Sequence, residues 1–299
     1  STHNPQSPIL SGLVGSEMCI RDRLKGMDRL TQINPYFRLP VKDSEADGWV
    51  SAYDLFHEDN DRLKNMVRDY GLEYWDSSDP HVAGSAFLIA YLTRLVWPVI
   101  GQFVLERRVP DVTLKNLAFH LKGGSDRRFI DGTAMVTPYF AALKGDTDIR
   151  HEHAIQAIDY ANLFTVLKRW LFQENLVPVI DSLTQICRAS MPVSKNAVAS
   201  ACGQAFRHLY PFVDNPGDLA QLAKELFDDE STVVFGQVTM EVINMETRSG
   251  LFARRFGCCL AWRTSRLNGY CSNCILVSKS EQDKAFELIE DGAWRDVIK

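Results

Sequence analysis

The longest run of apolar residues in the chain covers residues 82–105. It follows Asp79-Pro80, a capping residue and a proline at the first helical position, which together are typical of a helix start. The run is long enough to span a membrane, but Arg94 lies in its middle and Pro98 interrupts it. We therefore predict a buried core helix, bent at Pro98, and no transmembrane segment.

Shorter segments with helical spacing of apolar residues occupy much of the remaining chain. The short connections between them predict antiparallel neighbours. In residues 233–243 the alternation is poor, and we favour a helix over a strand there. The other predicted helices are two short ones within 49–70, one over 153–170, one over 176–187, one capped by Ser194, one opened by Asn215-Pro216 and a last one capped by Ser280.

Two segments with strand-like composition, 112–120 and 129–136, flank the sequence KGGSDRR, whose glycines favour a turn. They predict an antiparallel hairpin. The expected fold class is therefore mainly α with a small antiparallel β-sheet, an α+β protein. Residues 27–250 are interpreted as one mainly helical domain, and residues 251–299 as a C-terminal segment of different character.

Residues 1–23 differ from the rest of the chain. The piece LVGSEMCIRDR resembles a translated adaptor fragment found at the ends of unrelated sequences, and Gly12, Gly15 and Ser16 break its apolar run. We interpret it as a non-native leader without fixed structure. Met27 is then a plausible start, and Cys19 is excluded from the candidate ligands.

The composition is that of an ordinary globular protein. Of 299 residues, 45% are hydrophobic and 24% are charged, and the net charge of −5 argues against a general nucleic-acid binder. Neither G-x-G-x-x-G nor G-x-x-x-x-G-K-[ST] occurs, so no nucleotide or flavin site is indicated. If the protein performs redox chemistry, its electrons are expected from another protein or a loosely bound reductant.

The strongest candidate for chemistry is a group of four of the seven cysteines: Cys258, Cys259, Cys271 and Cys274. Their spacing is Cys-Cys-x11-Cys-x2-Cys, and a short loop can bring all four sulfurs to one centre at little entropic cost. Cys187 and Cys202 lie in predicted helices, where buried small apolar roles are expected.

The identity of the bound metal stays open at this point. Cys271 and Cys274 have the C-x2-C spacing of a structural zinc site. The adjacent Cys258 and Cys259 do not, because neighbouring side chains diverge. A 2Fe–2S cluster is wider than one ion and accepts diverging thiolates, so we favour it over zinc. Disulfides are the third alternative, and nothing in the sequence suggests export.

This pattern resembles the C-terminal signature of the FhuF-type ferric siderophore reductases, Cys-Cys-x10-Cys-x2-Cys. The spacer in this chain, Leu260 to Tyr270, is one residue longer. The likeness is specific over about twenty residues and loose elsewhere. It implies that the four cysteines hold a 2Fe–2S cluster and that residues 27–250 bind a ferric chelate.

The same resemblance implies the partners. They are a ferric siderophore of the hydroxamate type and a ferredoxin-like or other external electron donor, with no nucleic acid. The protein would act in the cytoplasm or at the inner face of the membrane. Its reaction would be the one-electron reduction of Fe(III), which releases Fe(II) from the chelate.

Several cationic and aromatic residues are candidates for contact with the cluster or the chelate. Arginines near the cysteines would stabilise a negatively charged cluster and attract an anionic partner, and a tryptophan would cover the cluster or stack on a chelate. Ordinary solvated surface or packing is the alternative for each of them. The candidates are Arg254, Arg255, Trp262, Arg263 and Arg266 beside the cysteines, and Lys122, Arg127 and Arg128 in the predicted hairpin turn.

Three functions therefore compete. The first is a ferric siderophore reductase. The second is a non-catalytic protein with a structural zinc site held by the same four cysteines. The third is an electron-transfer or cluster-sensing protein without a chelate substrate.

Overall fold

The structure is a computed structural model that describes residues 30–42, 48–122, 129–245, 249–264, 269–290 and 297–298. Within these ranges the protein is mainly helical with small β-sheets, which confirms the predicted α+β class. The predicted leader, residues 1–23, lies outside the described residues. So do Arg127, Arg128 and Arg266.

Most predicted helices are present, with shifted ends. The described α-helices are α1 (Ala52–His57), α2 (Asn60–Trp75), α3 (Pro80–Glu106), α4 (Tyr160–Leu167), α5 (Val177–Cys187), α6 (Met191–Leu209), α7 (Pro216–Asp228) and α8 (Lys279–Glu290), and a π-helical stretch (Lys168–Leu176) joins α4 to α5.

Two of the four predicted helix caps, Asp79 and Asn215, are confirmed, and two are wrong. Asn215 caps α7 by accepting a hydrogen bond from the Asp218 N–H. Ser194 lies buried inside α6, which starts three residues earlier. At α8, Ser278 and Glu281 form a reciprocal capping box, so Ser280 is not the cap.

Helix α3 is the centre of the fold, as the apolar run predicted. The Asp79 carboxylate caps it by accepting a hydrogen bond from the His81 N–H at 2.9 Å. The helix continues through Pro98 and packs against α2 and α6. Among the described helices it is the one long and apolar enough to cross a membrane, and 72% of its most apolar window is buried inside the protein. Burial against α2 and α6 thus accounts for its apolar composition.

The predicted hairpin is confirmed, but its first strand begins at Leu117 and not at residue 112, because Leu114–Asn116 form a 3-10 turn. The hairpin belongs to a three-stranded antiparallel sheet in the order Trp49–Ser51, Leu117–Lys122 and Phe129–Met135, with a register shift between His120 and Leu121. The described strands are β1 (Trp49–Ser51), β2 (Arg108–Pro110), β3 (Leu117–Lys122), β4 (Phe129–Met135), β5 (Phe140–Leu143), β6 (Ala154–Ala157), β7 (Val238–Asn244), β8 (Ser249–Arg255), β9 (Tyr270–Cys271) and β10 (Val297–Ile298).

The prediction of one helix over 153–170 is wrong in its first part. Residues Ala154–Ala157 form β6, which pairs parallel to β5, and the helix begins only after Asp159. Asp159 caps α4 by accepting a hydrogen bond from the Asn162 N–H at 2.8 Å. Ile158, between β6 and α4, is 85% exposed. Strand pairing and a cap therefore decide the structure where periodicity was ambiguous.

The helix favoured over 233–243 is also wrong. Residues Val238–Asn244 form β7, which pairs antiparallel with β8. Gly236, with φ of +65°, turns the chain into this ribbon. Val238, Thr239, Val242 and Ile243 are β-branched and favour a strand. The interpreted domain boundary at residue 251 falls inside β8.

Strand β8 has different neighbours on its two faces. Phe252 packs against Phe286 of α8, with ring centroids 4.9 Å apart. Ala253, on the other face, packs closely against Gly203 of α6. A Cβ added to Gly203 would lie 2.6 Å from the Cβ of Ala253. The glycine on α6 thus permits the close approach of the strand that leads into the cysteines.

Candidate metal centre

Two turns present the four cysteines. The first pair, Cys258 and Cys259, follows directly on β8, and the second pair spans a tight turn in which the Cys274 N–H donates to the Cys271 carbonyl at 2.9 Å. Cys259 and Cys274 are buried, and the other two are partly buried. All four are free thiols, as are Cys187 and Cys202, so no disulfide joins the described cysteines.

The structure brings Cys259 and Cys271 into direct contact. A hydrogen bond from the Cys271 thiol, helped by the Arg255 charge, lowers the pKa of Cys259 to about 5 against the opposing effect of burial. The same hydrogen bond and burial raise the pKa of Cys271. Cys259 is therefore the more easily deprotonated thiol of the two, and a metal ligand has to lose its proton.

Arg255 lies beside three of the four cysteines, Cys259, Cys271 and Cys274. Its side chain is buried, and its Nε donates to the Asn273 carbonyl at 3.1 Å. Burial opposes the charge, but the neighbouring Cys259, Cys271 and Cys274 outweigh burial and raise the pKa of the guanidinium. A buried, permanently positive group beside several sulfurs balances the negative charge of thiolates.

Backbone N–H groups face the sulfurs as well. The Leu260 N–H donates to the Cys258 Sγ at 3.2 Å. The Ala261 N–H lowers the pKa of Cys259, and the Leu276 N–H opposes the effect of burial on the pKa of Cys274. In each case the donor lies two residues after the cysteine. Leu260 has a φ of +64°, a strained conformation for a residue with a side chain, and it turns the chain here.

Side-chain hydrogen bonds to other parts of the chain fix both turns. Ser85 of α3 donates from its Oγ to the Cys259 carbonyl at 2.7 Å. Gln282 of α8 donates to the Cys274 carbonyl at 3.0 Å. Asn273 donates to the Ala253 carbonyl at 3.3 Å and so ties the second turn to β8. None of these residues was a sequence candidate, because no local pattern marks a hydrogen bond between distant segments.

Gly257 permits the first turn to pack against α6. A Cβ at this position would lie 2.8 Å from the Cβ of Asn196. Asn196 is buried and donates from its Nδ2 to the Gln237 carbonyl at 2.9 Å, so it cannot easily move away. The glycine immediately before the cysteine pair is therefore required by close packing.

The other sequence candidates lie in different surroundings. The Arg254 guanidinium bonds to Glu241, Asp283 and Gln282 on the α8 side of β8, opposite to Arg255. Arg263 pairs with the Asp79 carboxylate at 3.0 Å, and Trp262 is half-exposed. Lys122 is exposed at the end of β3. Among the described candidates, Arg255 is the one that the structure places among the sulfurs.

The chemistry of the donors, and not the distances between them, indicates what the site could hold. No three His, Cys, Asp or Glu side chains in the described ranges lie close enough together to hold a metal ion, so the side-chain positions do not choose between zinc and a 2Fe–2S cluster. Zinc and a 2Fe–2S cluster both bind four thiolates. The thiols, the N–H groups beside them and the buried Arg255 fit such a cluster in chemistry and charge.

A cavity of about 390 Å³ adjoins the cysteines. It lies between α3, α6 and the cysteine turns, and Cys259 and Cys271 form part of its wall. His208 also lines it, and burial, together with the nearby Arg207, lowers the pKa of that histidine to about 4. The imidazole is therefore neutral near pH 7. No pattern in the sequence indicated this cavity, because its walls come from distant segments.

A second cavity, of about 600 Å³, lies at the C-terminal end of α3 beside α7. Arg107, Tyr160, Asp218 and Glu225 are among the residues that line it, and no cysteine does. It is larger than the first but has no contact with the candidate metal ligands. We therefore assign the chemistry to the smaller cavity.

Comparisons with known proteins do not assign the chain to a family. The chain matches no protein-family model. A search of the curated proteins also found no match. The function is thus argued from the geometry of the cysteines and their surroundings.

Proposed function

We propose that the protein is a ferric siderophore reductase that holds a 2Fe–2S cluster on Cys258, Cys259, Cys271 and Cys274. The observation that carries the proposal is the grouping of Cys259, Cys271 and Cys274 around the buried Arg255 beside a cavity. The resemblance of their spacing to the FhuF-type reductases supplies the substrate class.

The chain's own residues would tune and hold the site. A bound 2Fe–2S cluster supplies the uptake and release of one electron at a time. Arg255 favours added negative charge at the sulfurs, and the N–H groups that face them act in the same sense. Ser85 and Gln282 hold the two turns from α3 and α8, so that the ligands need little rearrangement.

The net reaction is balanced by an external donor. A ferredoxin-like protein or another reductant loses one electron, and Fe(III) in the chelate gains it to become Fe(II). The hard oxygen ligands of a siderophore hold Fe(II) less tightly, so the iron leaves. This would take place in the cytoplasm or at the inner face of the membrane.

A structural zinc site is the second candidate. The tight turn from Cys271 to Cys274, with its N–H to carbonyl hydrogen bond of 2.9 Å, has the form of a zinc knuckle. In that case the four cysteines would stabilise the fold and perform no redox chemistry.

A single-turnover experiment tests the reductase. The protein is reduced without oxygen, freed of reductant and mixed with a ferric trihydroxamate in the presence of a chelator specific for Fe(II). We expect about one Fe(II) per reduced chain, because a 2Fe–2S cluster stores one electron. Reoxidation of the protein without Fe(II), or no reoxidation, would contradict the proposed substrate class.

A further inference from the structure

The cavity and the cysteine site share a wall. Cys259 and Cys271 line the cavity, whereas Cys258 and Cys274 do not. Arg255 and Asn273, which contact each other behind these cysteines, are also lining residues. A molecule in the cavity would therefore lie against one side of the sulfur site.

The cavity is kept open by small residues on α6 and bounded by aromatic rings. Ala197, Ser200 and Ala201 form the α6 wall, and Trp97 of α3 faces the space beside Tyr36. The rings of Tyr36 and Trp97 pack edge to face, with centroids 5.7 Å apart. A volume of about 390 Å³ with mostly apolar walls is typical of a small-molecule site.

The lining of the cavity offers nothing that would bind a cation. Among the described residues that line it, none is Asp or Glu. Its two arginines have contacts elsewhere: Arg255 bonds to the Asn273 carbonyl and faces the sulfurs, and Arg207 bonds to Gln204 and lies 5.1 Å above the Phe286 ring. A cation would lose its hydration without gaining a partner, and the mostly apolar walls favour a guest without net charge over a strongly hydrated anion.

We propose that this cavity is the docking site of the iron chelate, and that it takes a compact, uncharged iron(III) complex against Trp97 and the small residues of α6. The inference rests on the proposed function. The electron would then leave on the side of Cys259 and Cys271, directly toward the bound chelate.

Binding is tested with a probe that cannot be reduced under these conditions. Gallium(III) has the charge and nearly the radius of iron(III), and its tris-hydroxamate complex is uncharged. The purified protein is titrated with this gallium complex, and binding is monitored by calorimetry and by tryptophan fluorescence. We expect saturable binding. Ala201→Phe fills the cavity and should weaken binding by at least about tenfold, at an unchanged visible spectrum.

The matched control fills the other cavity. Gln221→Phe adds the same side chain to the larger cavity beside α7. We expect this variant to bind the gallium complex as tightly as the parent protein does. If Ala201→Phe fails to fold, Ser200→Phe provides the same obstruction one residue away. If neither folds, Trp75→Phe combined with Trp97→Phe decides, because both tryptophans line the cavity and the double variant should lose most of the fluorescence change caused by the gallium complex. An undiminished fluorescence change in that variant would overturn the docking site.

The outcomes separate this inference from the proposed function. Full-strength binding to folded Ala201→Phe and Ser200→Phe would place the chelate elsewhere and overturn the docking site, even if the parent reduces ferric chelates. A parent that binds the gallium complex in the cavity but produces no Fe(II) from the ferric complex would overturn the reductase and leave the docking site standing.

Discussion

Cys259→Ser is expected to remove most of the bound iron and the visible absorbance of the protein. Cys259 is buried, hydrogen-bonded to Cys271 and carries the lowered pKa of the group. A serine hydroxyl stays protonated near neutral pH and holds iron poorly. Loss of a supporting residue alone costs about 10- to 100-fold in metal affinity, so loss of a ligand should cost at least as much. Iron analysis and the visible spectrum measure the effect.

The controls are the two buried cysteines outside the site. Cys187 donates to the Leu183 carbonyl inside α5, and Cys202 is fully buried in α6. Burial raises the pKa of both thiols, to about 11 for Cys187, and no arginine counteracts burial there as Arg255 does at Cys259, Cys271 and Cys274. Cys187→Ser and Cys202→Ser should leave the spectrum unchanged. Bleaching by either of them, with a normal spectrum for Cys259→Ser, would refute the ligand assignment.

Arg255→Met should lower the reduction potential of the site by roughly 100 mV, where about 59 mV corresponds to a tenfold change for one electron. The substitution keeps most of the volume but removes a buried positive charge that faces Cys259, Cys271 and Cys274. The reduced state carries one more negative charge, so it loses more stabilisation than the oxidised state. Voltammetry or a redox titration measures the shift.

The neighbouring arginine is a matched control for that shift. Arg254 pairs with Glu241 and Asp283 on the opposite face of β8. Arg254→Met should reduce the thermal stability through the loss of these pairs, while the potential changes little. Equal potential shifts in the two variants would mean that net charge, and not the position of Arg255 among the sulfurs, sets the potential.

The sequence predicted an element correctly where its pattern of residues was strong and lay within one short segment. The apolar run with its Asp79-Pro80 start became α3, and the β3–β4 hairpin lies where the glycine turn placed it. The four cysteines were chosen as candidate ligands by spacing alone, and the structure brings Cys259 and Cys271 together. In each of these cases the signal lies within one short stretch of chain.

Strand β8 shows where sequence reasoning fails. Six of its seven residues are buried or partly buried, because α6 covers one face and α8 the other. Without an exposed face there is no alternation, and nothing in the sequence distinguishes Arg254 from Arg255. The pairing with β7 decides which of the two points toward the cysteines.

The supporting residues were missed for a related reason. Ser85 is separated from Cys259 by 174 residues, and their hydrogen bond exists only because α3 packs beside the cysteine turn. The cavity wall likewise combines Trp97 of α3 with Ala201 of α6. Such arrangements depend on tertiary packing, which residue patterns within one segment do not encode.

Metal and sulfide analysis of the protein purified without oxygen tests the central claim most directly. The account predicts a red-brown protein with two iron atoms and two acid-labile sulfides per chain, the composition of one 2Fe–2S cluster. A colourless protein with one zinc ion per chain and no sulfide would contradict it, and would assign the four cysteines to a structural site.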